Sequence, residues 1–214
     1  MLLSLLCCQI GCARPTDPSP MKTILVFGDS LSAGLGINPR QAWPMLSLDK
    51  LRPISSHFRV INASASGSTT EDGLHRLPSH LERPIDIFVL ELGINDAWHG
   101  VPVEQIRVNL QSIIDQVKAR NPTVTLVVVG MQFPLPSSDA DYMTMFGRMF
   151  GELAEKNHAA LVPYLLNGVA GNPELNLPDH VHPNAAGHKI LLENVWRVLE
   201  PVARETAAKH ALGS

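Results

Sequence analysis

A serine and an acid–imidazole pair stand near opposite ends of this sequence. Ser30 ends a Gly-Asp-Ser tripeptide that directly follows an apolar run, while Asp179 and His182 lie three residues apart near the carboxyl end. A serine hydroxyl becomes an effective nucleophile when a histidine takes its proton and an acid orients that histidine. The chain order serine, acid, histidine therefore predicts a hydrolytic triad of Ser30, Asp179 and His182.

Two further loops carry candidate hydrogen-bond donors. Gly67 follows a second apolar run and Asn95 follows a third. The carboxyl ends of parallel strands deliver such loops to one edge of a sheet. The backbone N–H groups of Ser30 and Gly67 and the side-chain amide of Asn95 are thus candidate donors to the oxyanion of an acyl-transfer intermediate. A turn that requires positive φ at Gly67, and an ordinary turn asparagine at Asn95, are the alternative explanations.

With these blocks in this order, the sequence resembles the GDSL or SGNH hydrolases, whose signature blocks centre on Ser, Gly, Asn and His. The resemblance covers roughly residues 22–200 and is strongest to the bacterial thioesterase I, lysophospholipase and arylesterase branch. It implies that small-molecule carboxylic esters or thioesters are cleaved through an acyl-serine intermediate, without a cofactor or metal. Two positions depart from that branch: Ile94 and His180 stand where it usually has glycine.

Other interpretations of the acid–imidazole segment remain open. The Asp-x-x-His-Pro pattern is also typical of a helix cap. Asp179, His180, His182 and His188 could instead form a zinc site, since imidazole and carboxylate are zinc ligands. Asp29 is interpreted as a structural residue that accepts local backbone amides.

The substrate pocket is expected to include Trp98, Met131, Phe133 and Pro134, because methionine and aromatic side chains suit acyl groups. A carbohydrate O-acetylesterase with the same catalytic residues is the alternative, and it should have a polar, open pocket. A flavodoxin-like nucleotide-binding or signalling module is the non-enzymatic alternative, but the glycine-rich phosphate loop that it requires is missing from the sequence. The sequence also lacks the Gly-x-Ser-x-Gly motif of α/β-hydrolases.

Composition narrows the class of protein. The 214 residues, 45% of them hydrophobic, suit one domain with a substantial core, predicted over residues 21–205 with a tail at 206–214. A formal net charge of −3 without a basic run argues against nucleic acid as a partner. The sequence does not determine the oligomeric state.

The first 20 residues have the character of a leader. The apolar run 2–10 is too short for a transmembrane span but suits a signal-peptide core. All three cysteines lie within the first 12 residues, and the segment before Cys12 resembles a lipoprotein cleavage box that would make Cys12 a lipid anchor. We therefore expect a periplasmic or secreted protein. The alternative is a cytoplasmic protein that starts at Met21.

Hydrophobic periodicity predicts strands alternating with helices. This alternation predicts a three-layer α/β/α, flavodoxin-like fold with a doubly wound parallel sheet of about five strands. The predicted strands are 23–27, 58–62, 85–92, 123–129 and 161–164, and the predicted helices are 41–51, 70–81, 103–120, 140–157 and about 184–203.

Overall fold

The computed structural model describes residues 21–132 and 140–211. A five-stranded parallel sheet with the strand order β2-β1-β3-β4-β5 lies at its centre. This order confirms the predicted flavodoxin-like sheet. The strands are β1 (Lys22–Gly28), β2 (Phe58–Asn62), β3 (Ile87–Glu91), β4 (Thr125–Val129) and β5 (Ala160–Val162).

Helices connect the strands and form a layer on each face of the sheet. The α-helices are α1 (Ser30–Ala33), α2 (Trp43–Leu51), α3 (Thr70–Arg76), α4 (Ile94–Trp98), α5 (Val103–Arg120), α6 (Ala140–Asn157) and α7 (Ala185–Ala211). Helix α2 packs against α7, whereas α5 packs against both α3 and α6. Together with the sheet these two groups make the predicted three layers.

The sequence explains why these segments bury the faces that they do. Strands β1 and β3 are buried along their whole length, as expected for central strands of a parallel sheet covered on both faces. In α5 the buried residues recur at helical spacing, so a single apolar face packs inward. Those residues are Val103, Ile106, Asn109, Leu110, Ile113, Ile114 and Val117.

Two helices end at positions other than those predicted. The helix expected over 70–81 stops at Arg76 and continues as a 3₁₀ turn, Leu77–His80, because Pro78 lacks the N–H that would extend the α-helix. Helix α7 continues to Ala211, beyond the predicted end near residue 203. Ala207 packs against the core and the Lys22 ammonium donates to the Thr206 carbonyl, and both contacts favour the additional turns.

The order of the strands fixes where a ligand can reach the chain. The chain passes from β1 to β2 on one side and then returns across β1 to β3 on the other. The connections that follow β1 and β2 therefore run in opposite directions along the sheet. Such a topological switch point opens a crevice in α/β proteins. Within the described residues, no helix combines the length and the apolar character needed to cross a membrane.

Candidate active site

The Gly-Asp-Ser corner places Ser30 at this switch point. Strand β1 ends at Gly28, and Ser30 is the first residue of α1. Asp29 caps that helix, since its Oδ1 accepts the Leu31 N–H at 2.9 Å, which confirms its predicted structural role. Ser30 itself is only 7% exposed. A strand end and a capped helix therefore fix the serine in a nearly enclosed position.

The segment from Asp179 to His182 forms a tight turn around a carboxylate. Oδ1 of Asp179 accepts the N–H groups of Val181 at 2.9 Å and His182 at 3.0 Å. The other carboxylate oxygen lies 2.7 Å from His182 Nδ1, and His182 Nε2 lies 3.1 Å from Ser30 Oγ. The structure thus brings the three predicted triad residues into one hydrogen-bonded chain, at distances that allow proton transfer.

Asp179 is suited to carry a negative charge beside the imidazole. Partial burial alone would raise its pKa, but the hydrogen bonds from the His182 and Val181 backbone and from the His182 ring outweigh burial and lower the pKa to about 2. The carboxylate is therefore ionised at neutral pH. It can hold the proton of His182 at Nδ1 and leave Nε2 free to accept the serine proton.

Two of the three predicted oxyanion donors lie beside the hydrogen-bonded series of Ser30, His182 and Asp179. The Ser30 N–H is in the first turn of α1, where N–H groups have no intrahelical acceptor. The Asn95 amide donates one hydrogen to the Ser68 carbonyl at 3.0 Å and has a second hydrogen to offer. Ser30, Asn95 and His182 all line the same cleft.

Gly67, the third predicted donor, lies in the turn that precedes α3. Ser68 N–H donates to the Ala65 carbonyl at 3.2 Å across this turn, and Gly67 has φ +79°. A left-handed φ favours glycine whatever the function of the residue. The alternative explanation, that the turn requires positive φ at Gly67, therefore holds. Open space surrounds the position where a Cβ would stand, which leaves room for a substrate. Its role as a donor stays a prediction.

The cleft above Ser30 has a volume of about 240 Å³ and a mainly apolar wall. Trp98, a predicted pocket residue, is 57% exposed at its rim. Four other apolar side chains of the wall were not predicted from the sequence: Leu31, Ile94, Leu166 and Val181. All of them except Leu166 directly adjoin a predicted site residue in sequence.

Comparison with known proteins agrees with this geometry. Residues 26–190 match the model of the GDSL-like lipase/acylhydrolase family. The chain belongs to this family. It is an ester-hydrolysing enzyme of the GDSL, or SGNH, type, as its sequence predicts.

Several relatives of this GDSL-type chain are named for ester or thioester cleavage. It is 39% identical to esterase TesA of Pseudomonas aeruginosa over 87% of this chain and 92% of that protein. It is 35% identical to thioesterase 1/protease 1/lysophospholipase L1 of Escherichia coli over 84% of each chain. A solved structure of TesA superposes with a TM-score of 0.79 at 38% identity, covering 85% of this chain and 99% of that one.

One predicted pocket residue belongs to the core instead. Met131 is completely buried among the hydrophobic core residues, so it does not form part of the cleft wall and that prediction is wrong. It lies two residues after β4, a strand that is buried at every residue but the first. Phe133 and Pro134 lie outside the described residues.

His188, one of the residues of the alternative zinc site, already has a hydrogen-bond partner inside the protein. His188 is buried, and its Nδ1 accepts the Trp43 N–H at 3.2 Å. Burial lowers the pKa of His188 to about 4, so this ring is neutral at physiological pH. Across residues 21–132 and 140–211, no group of three or more His, Cys, Asp or Glu side chains is arranged to hold a metal ion.

His180 has an unusual backbone conformation within the turn that carries the predicted base, His182. It has φ +60°, a left-handed conformation that glycine adopts far more easily than histidine. Its N–H donates to the Leu177 carbonyl at 2.9 Å, and it lies outside the chain of hydrogen bonds from Ser30 to Asp179. This backbone conformation would suit the glycine that the family resemblance implies at position 180.

Proposed function

We propose that Ser30 is the nucleophile of an acyl-transfer reaction, His182 its general acid and base, and Asp179 the residue that orients His182. The observation that carries this proposal is the position of the His182 ring, 3.1 Å from Ser30 Oγ and 2.7 Å from the Asp179 carboxylate. A ring placed in this way can accept the serine proton while its other nitrogen stays bonded.

The reaction proceeds in two displacements. Ser30 Oγ attacks the acyl carbonyl carbon and its proton passes to His182 Nε2. The tetrahedral oxyanion accepts hydrogen bonds from the N–H groups of Ser30 and Gly67 and from the Asn95 amide. On collapse, the bond to the alcohol or thiol breaks and the leaving group takes the proton from His182. Water then repeats the sequence on acyl-Ser30, releasing the carboxylic acid.

The wall of the cleft supports acyl esters or thioesters as the substrate class. Among the described residues, eight line the cleft and five of these are apolar; Leu31, Ile94 and Leu166 can pack against an aliphatic or aromatic group. A sugar would leave its hydroxyl groups unpaired against these side chains. The cleft therefore favours an esterase or thioesterase of the arylesterase or lysophospholipase type over a carbohydrate O-acetylesterase. The names of the relatives agree with this preference.

We also propose that the protein is exported to the periplasm or secreted, because the apolar run 2–10 has the length of a signal-peptide core. Fractionation of cells that express the full chain tests this. Release with the periplasmic fraction supports export, and membrane attachment that depends on Cys12 adds a lipid anchor. Full-length protein confined to the cytoplasm contradicts the proposal.

Replacement of the nucleophile tests the catalytic proposal. Ser30→Ala should lower kcat on p-nitrophenyl esters by about 10⁴-fold or more and abolish covalent labelling by a fluorophosphonate. Ser112→Ala is a matched control, because Ser112 is a partly exposed serine of α5 whose hydroxyl donates to the Val108 carbonyl. Substantial turnover by a folded Ser30→Ala variant, or phosphonate attached to another residue, would assign the nucleophile elsewhere.

A further inference from the structure

A buried group of ionisable side chains lies directly beneath the Gly-Asp-Ser corner. Glu91, the last residue of β3, is paired with Gly28 across the sheet. It is completely buried, as is Asp29. Arg76, at the end of α3, reaches the same region with its guanidinium 3.7 Å from the centre of the Phe27 ring. None of these groups takes part in the chemistry described above.

These side chains hold both ends of one peptide unit. The Gly28 carbonyl accepts from Arg76 Nη2 at 2.7 Å, and the next N–H, that of Asp29, donates to Glu91 Oε2 at 3.2 Å. Glu91 Oε2 also accepts from the hydroxyl of Ser32 at 2.6 Å. The Gly28–Asp29 peptide, one peptide before the N–H of Ser30, is therefore oriented by a cation on one side and a carboxyl group on the other.

Arg76 also connects this peptide to the loop that carries Gly67. Its second terminal nitrogen donates to the Ala63 carbonyl, just beyond the end of β2. The Ala65 N–H donates to the Gly28 carbonyl at 3.0 Å, so the segments that follow β1 and β2 are also joined directly by a backbone hydrogen bond. A planar guanidinium can bond two carbonyl groups at once in a fixed geometry, which an ammonium group cannot reproduce.

The close approach of Glu91 explains why position 28 is glycine. A Cβ at that position would stand 2.4 Å from Glu91 Oε2 and 2.9 Å from the Glu91 carbonyl oxygen. Both contacts are shorter than van der Waals contact. Any side chain at position 28 would therefore displace Glu91 from the Asp29 N–H and disturb the peptide that leads to the nucleophile.

From this arrangement we infer that Arg76 is a positioning residue for catalysis: it sets the Ser30 loop and the Gly67 loop at the separation that lets their N–H groups bind the same oxyanion. The inference rests on the proposed roles of Ser30 and Gly67. Small displacements of such groups reduce turnover strongly, by about 10²-fold for 1 Å. Arg76 acts on the transition state through backbone geometry and makes no contact with the substrate.

Substitution of Arg76 tests the inference when turnover is measured per reactive serine. Arg76→Met should lower kcat per fluorophosphonate-titrated site by about 10- to 100-fold with KM within about twofold, because only the transition state uses the oxyanion donors. Arg76→Lys should lose less, since an ammonium group retains a donor without the planar fork. Urea unfolding of each variant, measured at the temperature of the kinetic assay, shows that the variant is folded under the assay conditions.

Arg107→Met is the matched control, because Arg107 forms ion pairs with Glu104 and Glu152 on the surface of α5 and α6. It should lose stability at most, with kcat per site unchanged. Folded Arg76 variants that keep the wild-type kcat per titrated site would overturn the inference, even if they unfold more easily. If Arg76→Met does not fold, Arg76→Lys decides by the same criterion.

The titration also separates this inference from the catalytic proposal on which it rests. Wild-type enzyme labelled at Ser30 supports the catalytic proposal whatever the Arg76 variants do. Wild-type enzyme labelled at another residue contradicts that proposal and overturns the inference together with it.

Discussion

Ser30 and His182 face each other across 3.1 Å, yet the segments that carry them differ in burial and in what fixes them. The serine segment lies at the end of a buried central strand, and distant residues such as Glu91 and Arg76 hold its backbone. The histidine segment is an exposed turn, in which the Asp179 and His182 side chains are 44% and 21% exposed. Its own carboxylate holds it together.

This difference separates two ways of placing a reactive group. Long-range contacts hold the segment of the proposed nucleophile, so its geometry depends on the sheet as a whole. Local hydrogen bonds around the Asp179 carboxylate hold the proposed base, so its geometry depends mainly on the turn itself. Substitutions in the turn should therefore change activity with little effect on the fold, whereas substitutions beneath the corner should change both.

After Ser30→Ala, the largest loss of activity is expected in the exposed turn. His182→Ala should lower kcat by about 10³-fold or more with little change in the free energy of unfolding, because the ring is partly exposed and serves as the base. His180→Ala is the matched control, since His180 lies two residues earlier in the same turn. Steady-state kinetics and urea unfolding of both variants measure the difference. Equal losses in the two would mean that the turn as a whole, and not one imidazole, determines activity.

A smaller effect is expected at the oxyanion donor that follows β3. Asn95→Ala should lower kcat by about 10²-fold or more and leave KM nearly unchanged, because the interaction strengthens only as the oxyanion forms. Asn121→Ala removes a comparable amide that bonds Val117 and Ile85 backbone atoms before β3 and β4 begin. That control should lose stability and keep its kcat. An unchanged kcat in Asn95→Ala would remove this amide from the oxyanion hole.

The smallest effect concerns the backbone of the turn. His180→Gly should raise the free energy of unfolding by about 0.5–1 kcal/mol, since relief of left-handed strain outweighs the additional freedom of glycine in the unfolded chain. His158→Gly at the end of α6 is the control, because His158 has φ +54° and lies far from the triad in sequence. Urea unfolding should give similar gains for both. A loss in His180→Gly alone would indicate a stabilising contact of the His180 side chain.

The sequence predicted the elements that depend on local pattern. Helix α5 occupies the predicted residues 103–120, because one periodic apolar face defines it. The proximity of Ser30, Asp179 and His182 could be predicted because few combinations of residue types can activate a serine. Ile94 was noticed as a departure from relatives, but only the structure places it in the wall of the cleft.

What could not be predicted depends on distant partners. Arg76 bonds the carbonyl of a residue 48 positions earlier, and no side-chain pattern marks a backbone carbonyl as a partner. Met131 was assigned to the pocket because a methionine near a proline-rich loop suits either a pocket or a core. Its packing against surrounding elements decides between them, and packing is a property of the folded chain.

The distance along the chain between nucleophile and base affects the order in which the site is assembled. Ser30 and His182 are 152 positions apart, whereas Ser30, Gly67 and Asn95 all precede α5. During synthesis the ribosome therefore releases the serine and every proposed oxyanion donor long before it releases the imidazole. Esterase activity in a growing chain should therefore appear only after the carboxyl-terminal segment with His182 has been released.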